Sequence, residues 1–188
     1  IMAAENGSGF SISVTQPTAK SFNTANEAKV KSSKTKSETP KIKTSAPKTK
    51  GTKDTGNDDL KKLADDMAQV MYQDDGVGLA APQVSLGKRM FVVGLGDGRY
   101  KTYINPEITF YSKDKITNEE GCLSLPEIFG NVTRAKKIHI KYYDFDGKKN
   151  KEKLTNFDAI VAQHEFDHLN GILFIDRTEG KLKGQEIL

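Results

Sequence analysis

The chain has one cysteine, Cys122, among 188 residues, so no internal disulfide can form. Three roles remain open to that thiol: buried filler, nucleophile or metal ligand. No run approaches the ~18 apolar residues of a membrane span, and the N-terminus lacks the charged and apolar regions of a secretory signal. Both absences argue against a membrane or exported protein, and the expectation is a soluble, cytoplasmic one. Apolar residues are scarce as well, at 36% with a mean hydropathy of −0.59, so part of the chain should contribute nothing to a core.

That part is residues 1–57, which lack arginine and hold few large aliphatics. Ten lysines stand there against four acidic residues, among Ser, Thr and Pro. Such a composition cannot offset chain entropy by burial, so 1–57 is expected to be a disordered tail and 58–188 a single folded domain. Within the tail, 10–16 (F-S-I-S-V-T-Q) alternates like a strand. A transit peptide would favour arginine, which makes organellar import the weaker alternative to the cytoplasm. The lysine excess could rest on RNA or the ribosome, because phosphates attract lysine without sequence preference; a solvated linker is the competing reading.

What is present beyond the tail has clear periodicity. Asn57 or Asp58 can cap a helix whose apolar positions are Leu60, Leu63, Met67, Val70 and Met71, ending before Gly76. Residues 89–95, 103–110 and 137–145 read as strands, the last closed by the turn Asp146-Gly147. Thr155-Asn156-Phe157-Asp158 has capping-box form and opens a second helix that runs to Gly171. Helices and strands are segregated, so the fold class is α+β.

The second helix carries His164-Glu165-Phe166-Asp167-His168, an H-E-x-x-H. Residues four apart share a helix face, so two imidazoles can aim at one ion while Glu165 reaches a water beside it. Two histidines satisfied on a polar helix face would look the same in sequence. A catalytic site needs a third protein ligand. The position where a metzincin places its third histidine is Phe174, and the downstream Glu179 and Glu186 stand in a Gly- and Lys-rich end. Cys122, within Glu120-Gly121-Cys122-Leu123-Ser124, is the better choice: a thiolate binds Zn²⁺ or Fe²⁺ strongly, and the preceding glycine would let backbone approach an ion.

Three segments, Gly76-Val77-Gly78-Leu79-Ala80-Ala81-Pro82-Gln83, Glu120-Gly121-Cys122-Leu123-Ser124 and 163–171 (Q-H-E-F-D-H-L-N-G), resemble in order the three signature motifs of the peptide deformylase family. The resemblance implies antiparallel strands packed around a central H-E-x-x-H helix, and hydrolysis of the formyl group from N-formylmethionyl nascent peptides. It implies one divalent metal on Cys122, His164 and His168, Fe²⁺ first with Zn²⁺, Ni²⁺ or Co²⁺ as substitutes. Glu165 would be general base and then general acid, with Gln83 and the Leu123 backbone N–H holding the developing oxyanion. Gly76, Val77 and Gly78 would pair with substrate backbone, and Val77, Phe157, Ile160 and His164 would line the methionine pocket. Asp167 would orient a ligand imidazole, and Glu120 with Arg134 would steady the cysteine loop, the alternative being a surface pair.

The chain departs from the family's usual pattern in three places. The lysine-rich tail replaces the customary first strand, Asn118 stands where an aliphatic residue is common, and the end after Arg177 is short and Gly-containing. That last feature resembles deformylases encoded by phages. Rival readings are a zinc endopeptidase built on the same helix motif and a non-catalytic protein whose tail binds RNA.

Overall fold

Burying Ala64, Met67, Ala68 and Met71 along one stripe makes helix α1 (Thr55–Gln73) the lid of an apolar cluster with Leu79, Met90 and Val92. The computed structural model describes residues 55–184; of the tail expected over 1–57, residues 1–54, with the strand expected at 10–16, lie outside them, and 55–57 belong to α1. Val70, expected in the apolar stripe, is instead exposed, because Ala64 and Ala68 complete the buried face. The helix also starts at Thr55, ahead of the cap expected at Asn57 or Asp58.

Seven strands follow: β1 (Gly78–Ala80), β2 (Met90–Gly94), β3 (Tyr100–Tyr111), β4 (Lys115–Cys122), β5 (Leu125–Ala135), β6 (Lys137–Tyr143) and β7 (Lys149–Thr155). Among them β1-β2-β3-β6-β7 form one antiparallel sheet and β4-β5 a separate hairpin. Alternation gives the sheet two faces. Phe91, Tyr103, Ile138, Ile140 and Leu154 point to one side, where Ala159 and Ala162 of α2 (Asn156–His168) pack on them; α1 covers the other side at the β1–β2 end.

The central helix is thus α2, buried along most of its length. Thr155 takes the extended N-cap conformation, but its side chain makes no capping bond, and Asn156 enters the helix at φ 53°. The capping box read from the sequence therefore does not form. Gln163 anchors the helix instead, exchanging amide bonds with both backbone groups of Ala135: its Oε1 accepts from Ala135 N at 3.1 Å and its Nε2 donates to Ala135 O at 2.9 Å. At the far end Arg89 donates to the Leu169 carbonyl at 2.9 Å, satisfying a terminal acceptor and opposing the negative end of the helix dipole. One end of the H-E-x-x-H segment is held to the end of β5 and the other to Arg89, the residue before β2, which fixes its rotation. Among the described residues no helix is long and apolar enough to cross a membrane.

Candidate active site

Cys122 is the last residue of β4, just before the Leu123-Ser124 turn into β5, where a register shift at Gly121/Cys122 re-aims the strand end. The structure brings it to α2: Cys122 Sγ lies 3.3 Å from His168 Nε2, and the two Nε2 atoms of His164 and His168 are 3.2 Å apart. All three donor atoms fall within 4.8 Å of one another, and all three residues are buried. An ion ~2.3 Å from sulfur and ~2.0–2.1 Å from each nitrogen at tetrahedral angles needs donor separations of about 3.3–3.6 Å. The donor set fits a single cation.

Electrostatics favours a thiolate. Burial alone would push the Cys122 thiol up, but hydrogen bonds with His164 and His168 outweigh it and bring it down to about 5. His164 also moves opposite to what burial dictates: its contacts with Cys122 and Glu120 raise its pKa above the ordinary value.

Behind the cluster runs a chain of buried charges. Glu120 Oε2 sits 2.9 Å from His164 Nδ1, and Arg134 donates from Nε to Glu120 Oε1 at 2.5 Å and from Nη2 to Oε2 at 2.9 Å. Burial raises the Glu120 pKa less than His164 and Arg134 lower it, so its carboxyl stays below the usual range. Glu120 thus orients the His164 imidazole, and the Glu120–Arg134 pair is buried rather than on the surface. Asp167 does not take the orienting role expected of it. Its carboxylate is turned to β5 and the chain end, accepting from Arg134 Nη1 at 2.8 Å and from Arg177 Nε and Nη2 at 2.6 and 2.7 Å.

Gln83 lies in a short 3-10 turn (Ala81–Val84), its Oε1 held by Ala80 N–H at 2.9 Å. That bond turns the amide nitrogen toward the cysteine loop, 2.9 Å from Ser124 Oγ and 3.5 Å from Cys122 Sγ. Gly78 abuts Glu165: a β-carbon on Gly78 would fall 2.5 Å from Oε1. Gly76 lies beneath Leu123, where a β-carbon would be 2.8 Å from Cδ1. Gly121 faces Phe129, 2.7 Å from where its β-carbon would be, so that glycine admits an aromatic ring rather than an ion. Of the residues assigned to the methionine pocket, Val77 packs against buried Ile160, whereas Phe157 is 45% exposed outside that cluster.

Sequence reasoning missed three contributors. Ser124 holds the Gln83 amide, Arg177 completes the Asp167 pair, and Phe174 stacks on the His164 ring at 6.2 Å. Phe174 stood in the sequence where a third histidine was sought; it walls the site instead of ligating.

One sulfur and two ring nitrogens that could hold a single cation, with the buried Glu165 next to His164 in the chain, make the kind of cluster a metallohydrolase uses. The model of the polypeptide deformylase family matches residues 35–183. The chain belongs to the peptide deformylase family, and it removes the N-formyl group from nascent polypeptides. A peptide deformylase from a Thermotoga species is 50% identical over 121 residues, spanning 64% of this chain and 73% of that protein. The crystal structure of the Thermotoga maritima enzyme superposes with a TM-score of 0.63 at 47% identity, covering 65% of this chain and 83% of that one. A probable peptide deformylase from a Synechococcus phage gives 0.62 at 43%, covering 64% and 84%. The α+β architecture is shared with these enzymes, and the family is metal-dependent.

Proposed function

We propose that Cys122, His164 and His168 hold one divalent cation, Fe²⁺ in the native enzyme with Zn²⁺, Ni²⁺ or Co²⁺ able to replace it, and that Glu165 moves the protons of the reaction. The observation that carries this reading is the convergence of one sulfur and two ring nitrogens from β4 and α2 within 4.8 Å. When bound, the cation supplies Lewis acidity, acidifying a water and polarising the formyl oxygen. Glu165 then accepts the proton of the attacking water and passes it to the amine as the formyl C–N bond breaks, leaving formate and a free N-terminus.

Gln83 Nε2 and the Leu123 backbone N–H stand for the oxyanion donors. Support comes from the bond that locks the Gln83 amide with its nitrogen toward Ser124 and Cys122. Substrate enters by strand addition at Gly76, Val77 and Gly78, a reading supported by the place of β1 at the end of the sheet and by the contact of Gly78 with Glu165. Ile160 and Val77 then receive the methionine side chain, with Phe157 at the exposed rim.

The same reading places the enzyme in the cytoplasm of a bacterial or phage-infected cell. It also gives the lysines of 1–57 a contact with RNA or the ribosome, supported by their excess over acids. The test is Glu165→Gln, with formate release measured on formyl-Met-Ala-Ser beside metal content. Turnover should fall by about 10²–10⁴-fold while metal stays equimolar. Wild-type turnover in that variant would reject the assigned role, and cleavage of casein without formate release would favour an endopeptidase.

A further inference from the structure

We propose that the solvent face of the β6–β7 hairpin is a docking surface for single-stranded RNA, separate from the active site and from the tail. Residues 136–155 hold seven lysines and three acidic residues, whereas 55–75 hold six acidic residues and two lysines. The sheet order β1-β2-β3-β6-β7 puts these segments at opposite ends of one sheet, because α1 covers the β1–β2 end. The folded domain is therefore electrically polarised although its charges nearly cancel, and such a field orients a protein approaching a polyanion.

Register concentrates the lysines further. Lys141 pairs directly with Lys151 and His139 with Lys153, and Lys137 and Lys149 share their face. Like charges directly opposite across strands destabilise a sheet, so this pattern costs the fold stability. The hairpin's acids do not relieve it. Asp144 is bound to the turn, accepting from Asp146 N, Lys148 N and Asn150 Nδ2, and Glu152 points to the opposite face, where it pairs with Lys101 at 2.6 Å. Glu107 stands opposite Lys141 in register, yet among the described residues none of Lys137, Lys141, Lys149, Lys151 and Lys153 forms an ion pair.

Lysines on an edge strand also guard against edge-to-edge aggregation, which would account for β7. That explanation does not reach Lys137 and Lys141, which lie on β6, an interior strand. Nor does it explain the aromatic surface among them. Phe110, 44% exposed, lies against His139 with ring centroids 4.7 Å apart, and Tyr143 sits under the Lys149 ammonium at 5.7 Å. Two hollows of about 310 and 220 Å³ share Lys141 and Lys151 as walls. Ammonium groups ~7 Å apart along β7 and ~13 Å apart along β6, with the exposed Phe110 ring beside them, are the combination that holds a single strand, phosphates on lysine and a base on the ring. An enzyme acting on chains still being made works beside RNA rather than DNA. Because α2 lies on the other side of the sheet, a strand bound here leaves the metal site open.

The measurement is fluorescence anisotropy of a fluorescein-labelled twelve-nucleotide RNA with the full chain across ~50–200 mM KCl. The triple variant Lys141→Gln, Lys151→Gln, Lys153→Gln should bind at least about tenfold more weakly at low salt, and the slope of log affinity against log salt should shrink by about 2. Phe110→Ala should weaken binding by about 5- to 150-fold, from loss of one stacked base. Lys61→Gln with Lys62→Gln on α1 should change neither, and the triple variant should deformylate formyl-Met-Ala-Ser at the wild-type rate, which shows that it folds. Unchanged affinity and slope in the triple variant would overturn the proposal and leave residues 1–57 as the RNA contact. Displacement of the RNA by poly-glutamate at equal charge concentration would also overturn it, in favour of an acidic protein partner.

Discussion

Gly78 and Glu165 are in contact across the mouth of β1, so near that the carboxylate occupies the place a side chain on residue 78 would need. An added methyl must push either the acid or the edge strand away. Gly78→Ala should therefore lower kcat/KM for formyl-Met-Ala-Ser by about 10²-fold, the scale of an ångström-sized misplacement in an active site. Metal content should not change, because neither residue is among the three donors. Steady-state kinetics beside metal analysis checks both halves, and unimpaired turnover would show that the contact is only packing.

Arg134 is 5% exposed and neutralises two buried carboxylates, Glu120 and Asp167. Burial alone would lower its pKa, but those two partners raise it above the ordinary value, so it remains charged. Arg134→Met would strand both acids without a counter-charge, at a cost of about 3–5 kcal/mol. Urea unfolding should show that loss as a lower midpoint. In contrast, Lys62→Met removes the exposed pair with Asp66 and should leave the midpoint unchanged.

Cys122→Ser replaces a sulfur that ionises near pH 5 by a hydroxyl that stays protonated. Metal retained after dialysis should fall well below equimolar, and activity should follow it. Stripping the wild-type protein with a chelator should lower its melting temperature, since an ion bound only by the folded state stabilises that state. Co²⁺ or Ni²⁺ should restore both. A serine variant that keeps its metal would remove the thiol from the ligand set.

Gln83→Ala deletes an amide aimed at the cysteine loop and leaves the Ala80 N–H without its side-chain acceptor. Loss of one oxyanion donor should cut kcat by about 10²–10³-fold with little change in KM. Gln83→Glu keeps the acceptor for Ala80 but not the donor, so it should not recover the rate. Recovery would mean that the residue matters for backbone support alone.

The residues able to do chemistry were visible in the chain because their spacing is local: His164 and His168 share a face of any helix that contains them, and Gly-Cys-Leu needs only a strand end. The stripe of α1 and the alternation of β2, β3 and β6 were visible for the same reason, each being a repeat over a few residues. Strand β7 was not, since Lys149, Lys151 and Lys153 show no apolar alternation and become a strand only where β6 supplies the pairing; nor was the β4–β5 hairpin, whose polar residues hide its period.

What tertiary structure decided was which partner each polar group received. Helix rotation, set by Gln163 against Ala135 and Arg89 against Leu169, turned Asp167 toward Arg134 and Arg177 and left Glu120, 44 residues before His164, to orient that ring. The chain by itself pointed to one cysteine and two histidines and to the family, because both are carried by short local motifs. Only folding could bring the thiol within 3.3 Å of His168 and set a lysine ladder at the opposite end of the sheet from an acidic helix, because both depend on contacts between segments far apart in sequence.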